Sequence, residues 1–133
     1  MSHRHRILVV DDNDLLRENL VELLESEGYQ ILEARDGHEA LEQLGQAPLP
    51  DLLLVDMMMP GMGGPELVSP IRAPPGLAGL RIVLATGMVP VRGAAQVDAV
   101  LSKPFGVEDL LAKIKPLLVA RGVAAGQPRV EEA

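Results

Sequence analysis

The stretch DLLLVD, residues 51–56, sets four adjacent aliphatic residues between two acids. A short apolar run without polar alternation predicts a strand covered on both faces, as in the interior of a parallel sheet. That strand is expected over Asp51–Val55, with Asp56 at its carboxyl end. Working outward, Arg6–Val10 (RILVV) repeats the pattern and stops abruptly at Asp11-Asp12-Asn13-Asp14. Gln30–Ala34 (QILEA) reads as a further strand between these two. Downstream, Arg81–Ala85 (RIVLA) leads into Thr86, and Asp98–Leu101 (DAVL) into Ser102-Lys103-Pro104.

The segments between the strands carry helical signals. Leu16, Leu20, Leu23 and Leu24 recur at helical spacing, and Gly28 supplies a stop. Asp36 is placed to cap a helix bearing Ala40, Leu41 and Leu44, which gives out by Pro48. A loop with Pro60, Gly61, Gly63 and Gly64 precedes a short helix from about Pro65 to Arg72. Val107, Leu110, Leu111 and Ile114 mark a closing helix, with Asp109 and Lys113 spaced for an ion pair. Pro116 is expected to kink or end it, because its ring clashes with the preceding turn. The tail from Arg121 lacks periodicity, so the domain is set at residues 1–120 and a flexible tail at 121–133. Strands alternating with helices predict an α/β fold with a parallel sheet and helices on both faces. Ligands of such sheets bind at the carboxyl ends of the strands.

Composition narrows the classes of function. With 133 residues the chain fits one domain, and a single Phe, a single Tyr and no Trp make its core aliphatic. No cysteine excludes disulfides and thiolate metal sites, which suits a cytoplasmic protein. No apolar run reaches membrane-spanning length. The net charge of −7 is uneven: residues 1–60 hold 13 acids against 4 bases, and residues 61–133 hold 6 against 8. An acidic domain without a basic stripe is unsuited to direct nucleic-acid binding.

The strand ends gather one chemistry. The first strand delivers Asp11 and Asp12, the third Asp56, the fourth Thr86 and the fifth Lys103. Carboxylates converging from two strands repel unless a cation lies between them, and Mg²⁺, a hard ion seeking oxygen, fits. A phosphoryl group on one of these carboxylates needs its oxygens neutralised by metal, ammonium and hydroxyl, which Lys103 and Thr86 supply.

Each residue alone has a plainer reading. Asp11 or Asp12 could cap the first helix, but Asn13 and Asp14 serve equally, leaving two acids surplus. Asp56 could form a turn, yet it closes an apolar run before a β/α loop. Thr86 alone reads as a structural hydroxyl and Lys103 alone as a solvated lysine. Met57-Met58-Met59 and Met62 read as packing, since thioethers favour soft ions. His3, His5 and His38 take no role.

The stretches LVVDDN, LLLVDMMMPGMGG, VLATG and VLSKPF, in that order over roughly residues 5–120, resemble the receiver domain of two-component response regulators, with its chemotaxis-regulator-like fold. The resemblance implies a flavodoxin-like strand order 2-1-3-4-5 and a Mg²⁺-dependent phosphorylation switch. Asp56 would be the phosphoacceptor, Asp12 a direct Mg²⁺ ligand, Asp11 a ligand through water, and the Met58 backbone carbonyl a further ligand. Lys103 would pair with a phosphate oxygen, Thr86 would be the switch hydroxyl, and the Lys103–Pro104 peptide would be cis. The implied partners are a sensor histidine kinase or phosphotransfer protein (or a small phosphodonor) and an unknown downstream protein.

Two departures affect output. The segment between Thr86 and Lys103 is shorter than is usual in that family, and Pro90 and Gly93 fall where its fourth helix belongs. That helix is expected to be shortened or missing. Val100 stands where the family carries Tyr or Phe, which removes the usual aromatic partner of the switch hydroxyl. The alternatives are a haloacid-dehalogenase-like phosphatase and a phosphorylation-independent interaction domain. The first resembles its family less, because Met58 stands where a second Asp is required. The complete set Asp11, Asp12, Asp56, Thr86 and Lys103 weighs against the second, and the domain is read as a signalling switch rather than an enzyme.

Overall fold

A computed structural model describes residues 5–46, 49–56, 67–68, 70–71, 79–87 and 97–126. Five strands form one parallel sheet: β1 (Arg6–Val10), β2 (Gln30–Ala34), β3 (Leu52–Asp56), β4 (Arg81–Thr86) and β5 (Ala99–Ser102). Their order is β2-β1-β3-β4-β5, the flavodoxin-like order expected. Each strand runs only four to six residues, and β1, β3 and β4 are buried almost end to end. Uninterrupted aliphatic sequence is therefore what the centre of this sheet requires.

Alternate side chains of each strand enter opposite layers. Leu8, Val10, Leu53, Val55, Ile82 and Leu84 pack with Ala40 and Leu44 of α2 (Gly37–Leu44) and with the helical residues Leu67, Val68 and Ile71. Ile7, Val9, Leu52, Leu54 and Val83 pack with α1 (Asp14–Ser26) and α3 (Val107–Gly126) on the other side. Helices cover both faces, and each large side chain fully buried there contributes roughly 1.5–3 kcal/mol of transfer free energy.

Local signals act where they are placed. The Asn13 side chain caps α1 by accepting the Leu16 N–H at 3.0 Å, and Asp36 caps α2 through the Glu39 N–H at 2.8 Å. Gly28, at φ +97°, takes the left-handed conformation just past α1. The strand boundaries differ from expectation at β3 and β5, and for one reason. Asp51 and Asp98 stand just before the strands instead of inside them, their carboxylates accepting the N–H groups of Arg6 (2.9 Å) and Ile82 (2.8 Å). Each acid thus pins the amino end of its strand, and the strands extend to Asp56 and Ser102.

One expectation about the last helix needs correction: Pro116 does not end it but lies inside α3, which runs on to Gly126. Leu110, Ile114 and Leu118 are all buried at a spacing of four, so the apolar stripe keeps its phase through the proline. Docking of that stripe offsets a cost of about 3 kcal/mol for an interior proline. Asp109 does not need Lys113, since its carboxylate accepts the Gly106 N–H at 3.1 Å and caps the helix from its third position. The expected shortening of the fourth helix falls on residues 88–96, outside the described residues.

Candidate functional site

Parallel pairing brings the strand ends into one row. β1 and β3 are neighbours with Val10 opposite Val55, so the residues that follow, Asp11 and Asp56, meet at one edge. Their carboxylates and that of Asp12 each offer an oxygen, and the three atoms lie within 4.8 Å of one another. β4 ends in Thr86, which is 2% exposed. β5 is registered so that Ser102 faces Thr86, and the Lys103 N–H donates to the Thr86 carbonyl at 2.7 Å. From there the Lys103 side chain reaches back past β4, and its Nζ donates to Asp56 Oδ1 at 3.0 Å. The Lys103–Pro104 peptide is cis.

Asp11, Asp12, Asp56 and Lys103 therefore come together as one cluster, with Thr86 buried on the intervening strand end. Met58 lies outside the described residues. Val100 pairs with Leu84 on the edge strand β5 and is half-buried.

The three acids differ in surroundings. Asp12 is exposed, while Asp11 and Asp56 are only 4% and 8% exposed. Burial pushes the Asp11 carboxyl above its usual pKa, and the nearby Asp56 and Asp12 carboxylates add to this. The Asn13 N–H, donating to Asp11 Oδ1 at 2.9 Å, and the Lys103 ammonium act in the opposite direction. Three carboxylate oxygens this close can hold a cation that prefers oxygen ligands.

The raised pKa of Asp11 has a consequence for stability. A carboxyl that ionises less readily in the folded than in the unfolded chain weighs against folding once it is ionised. The loss is absent below the unfolded value of 3.8 and grows as pH rises through the folded value. Asp11→Asn keeps an oxygen to accept the Asn13 N–H but carries no charge. In metal-free protein at pH 7 it is expected to raise stability by about 1 kcal/mol, a few degrees in Tm. The gain should shrink as pH falls toward 3.8; thermal melts in chelator check this, and an unchanged or lower Tm at pH 7 contradicts it.

Arg17 belongs to the same region, although sequence analysis gave it no role. It lies on α1 and is 7% exposed, sharing the buried face of that helix with Leu20 and Leu24. Its Nη1 donates to the Asp11 carbonyl at 2.8 Å, Nη2 to Asp14 at 2.7 Å and Nε to Glu33 at 3.0 Å. The signal was an arginine in the apolar stripe at positions 17, 20 and 24, where a charge needs buried partners.

Comparison with known proteins identifies the family. The family model described as "Response regulator receiver domain" matches residues 7–115. Response regulator MprA of Mycobacterium ulcerans (strain Agy99) is 40% identical over 116 residues, which are 85% of this chain and 50% of that protein. The same regulator of Mycobacterium leprae (strain TN) is also 40% identical over the same shares. The chain thus spans about half the length of the curated relatives it matches.

Among solved structures, a CheY-like receiver domain protein from Methanospirillum hungatei JF-1 superposes with a TM-score of 0.82 at 30% identity. That match covers 90% of this chain and 98% of the other. Chemotaxis protein CheY4 of Vibrio cholerae gives a TM-score of 0.79 at 28% identity, covering 86% and 99%. Because the family match spans residues 7–115, from β1 into α3, it takes in every strand end that contributes to the cluster, and the chain belongs to the family of response regulator receiver domains.

Proposed function

We propose that this receiver domain is a switch set by phosphorylation of Asp56. The observation that carries the reading is the Lys103 ammonium 3.0 Å from Asp56 Oδ1, beside the carboxylates of Asp11 and Asp12. A carboxylate oxygen of Asp56 attacks the donor phosphorus. An acyl P–O bond forms as the bond from phosphorus to the donor's nitrogen or oxygen breaks, and that atom leaves with the electron pair, a histidine nitrogen as neutral or protonated imidazole and an acyl oxygen as its carboxylate. Lys103 neutralises the transferred oxygens from one side. Asp11, Asp12 and Asp56 would hold a Mg²⁺ ion, which would supply positive charge at those oxygens. Thr86 offers a hydroxyl to the phosphoryl group from the neighbouring strand end, and its movement changes the surface presented to a downstream protein.

The donor is a phosphohistidine of a sensor kinase or phosphotransfer protein, or a small acyl phosphate, and the domain turns over no substrate beyond its own phosphorylation and dephosphorylation. Among the described residues no helix is long and apolar enough to cross a membrane. Incubation with acetyl phosphate and Mg²⁺, followed by intact mass, tests the reading. A single phosphoryl adduct that forms only with Mg²⁺ and decays slowly is expected; no adduct, or continuous release of phosphate without one, overturns it.

The two metal-side acids should not be equivalent. Asp12 is exposed and can meet a hydrated ion directly, whereas Asp11 is buried with one oxygen engaged by the Asn13 N–H. Asp12→Ala is expected to weaken Mg²⁺ binding about tenfold more than Asp11→Ala, or about 1.4 kcal/mol. Calorimetric Mg²⁺ titrations check the ranking, and equal curves for wild type and Asp12→Ala refute it.

A further inference from the structure

We propose that Arg17 is a positioning residue for the cation site, acting through the main-chain carbonyl of Asp11; this rests on the switch proposed above. The turn from β1 into α1 is four consecutive polar residues, Asp11-Asp12-Asn13-Asp14, and two of them must hold their carboxylates toward Asp56. A carboxylate is only as well placed as its backbone. Four bonds fix that backbone from α1, from within or from β2: Asp11 N–H to the Ala34 carbonyl, Asn13 N–H to Asp11 Oδ1, Leu16 N–H to Asn13 Oδ1, and Arg17 N–H to the Asn13 carbonyl. The guanidinium of Arg17 adds a fifth, to the Asp11 carbonyl, from a side chain that is itself buried.

Its other two donors engage acids on either side of the turn. Asp14 lies on α1 and Glu33 on β2, so one planar fork ties the turn to both elements. Packing alone explains none of this. An aliphatic residue at position 17 would complete the stripe with Leu20 and Leu24 without the desolvation cost of a charge. The fork is matched to a carbonyl and two carboxylates, which is an arrangement for holding a turn in one shape.

The test uses Arg17→Met, which keeps the apolar stem and removes the fork, and Arg17→Lys, which keeps charge but cannot reach three acceptors in a plane. Mg²⁺ affinity is measured by calorimetry well below each variant's Tm, and acetyl phosphate uptake is followed against Mg²⁺ concentration. Groups that orient ligands from behind typically contribute 10–100-fold to metal affinity, so Arg17→Met should raise the Mg²⁺ Kd by about tenfold. Arg17→Lys should fall between it and wild type. Uptake should return to the wild-type plateau at saturating Mg²⁺, the midpoint having moved and the maximum not.

A purely structural role predicts a lower Tm with an unchanged Mg²⁺ midpoint, and that outcome in either folded variant overturns the proposal. If Arg17→Met does not fold, Arg17→Lys decides by the same midpoint. Asp12→Ala run in parallel separates the two readings. If it too leaves Mg²⁺ binding untouched, the cation site itself is misassigned. If it weakens binding while the Arg17 variants do not, only the role of Arg17 fails.

Discussion

Asp56→Asn is expected to take up no phosphoryl group from acetyl phosphate and Mg²⁺ while keeping its fold. The amide fills the same volume at the end of β3, but its oxygen is too weak a nucleophile to form an acyl phosphate. Stability should stay within about 1 kcal/mol of wild type, because two effects oppose. One of three crowded carboxylates loses its charge, which relieves Asp11 and Asp12, while the Lys103 ammonium loses its partner at 3.0 Å. Borohydride locates the adduct in wild type, since it reduces an acyl phosphate to an alcohol and marks the residue that carried it. The mark belongs on Asp56. An adduct of wild-type extent on the Asn variant, mapped to Asp11 or Asp12, would move the acceptor and overturn the assignment.

The residues at issue differ in how plainly the sequence announced them. β1 and β2 were readable to the residue: β1 is an apolar run that stops at the acids from Asp11, and β2 is an edge strand whose half-buried Ile31 and Leu32 sit between Gln30 and Glu33. β3 and β5 were read one residue early, since Asp51 and Asp98 adjoin those runs, and only tertiary structure shows their carboxylates accepting N–H groups of adjacent strands. Pro116 misled for a related reason: propensity weighs the proline alone, and burial of Leu110, Ile114 and Leu118 outweighs it.

The acid cluster was legible because parallel sheets gather their ligand groups at strand ends, and Asp11, Asp12, Asp56 and Lys103 each follow or close an apolar run. Arg17 was not. It sits in mid-helix, and its significance lies in what it touches, a carbonyl and two acids from three separate places in the chain. Periodicity marks such a residue only as an exception to an apolar stripe, without saying which partners satisfy it.

The pairing of Lys103 with Asp56 makes the last prediction, in rate and in stability together. Lys103 bonds Asp56 where three carboxylates converge, and under the proposed function its Nζ would meet the transferred phosphoryl oxygens. Removing one such preorganised charge from a transfer site costs about 10²–10³ in rate, so Lys103→Met should slow acetyl phosphate uptake by that factor at saturating Mg²⁺. In metal-free protein the same change leaves Asp56, 8% exposed, beside Asp11 and Asp12 without its ammonium partner. The Lys103 side chain is 31% exposed, so the pair stands between surface and buried cases.

A coupling on the order of 1–2 kcal/mol is expected, above the median for exposed pairs and below that for buried ones. The double variant Asp56→Asn/Lys103→Met should accordingly be more stable than Lys103→Met alone, because the carboxylate charge that lost the ammonium contact is gone as well. Denaturant melts of wild type, both single variants and the double variant, in chelator and low salt, close the cycle. Additivity within about 0.3 kcal/mol would show that the contact carries no energy in the unphosphorylated domain. A Lys103→Met rate equal to wild type would remove Lys103 from the transfer step.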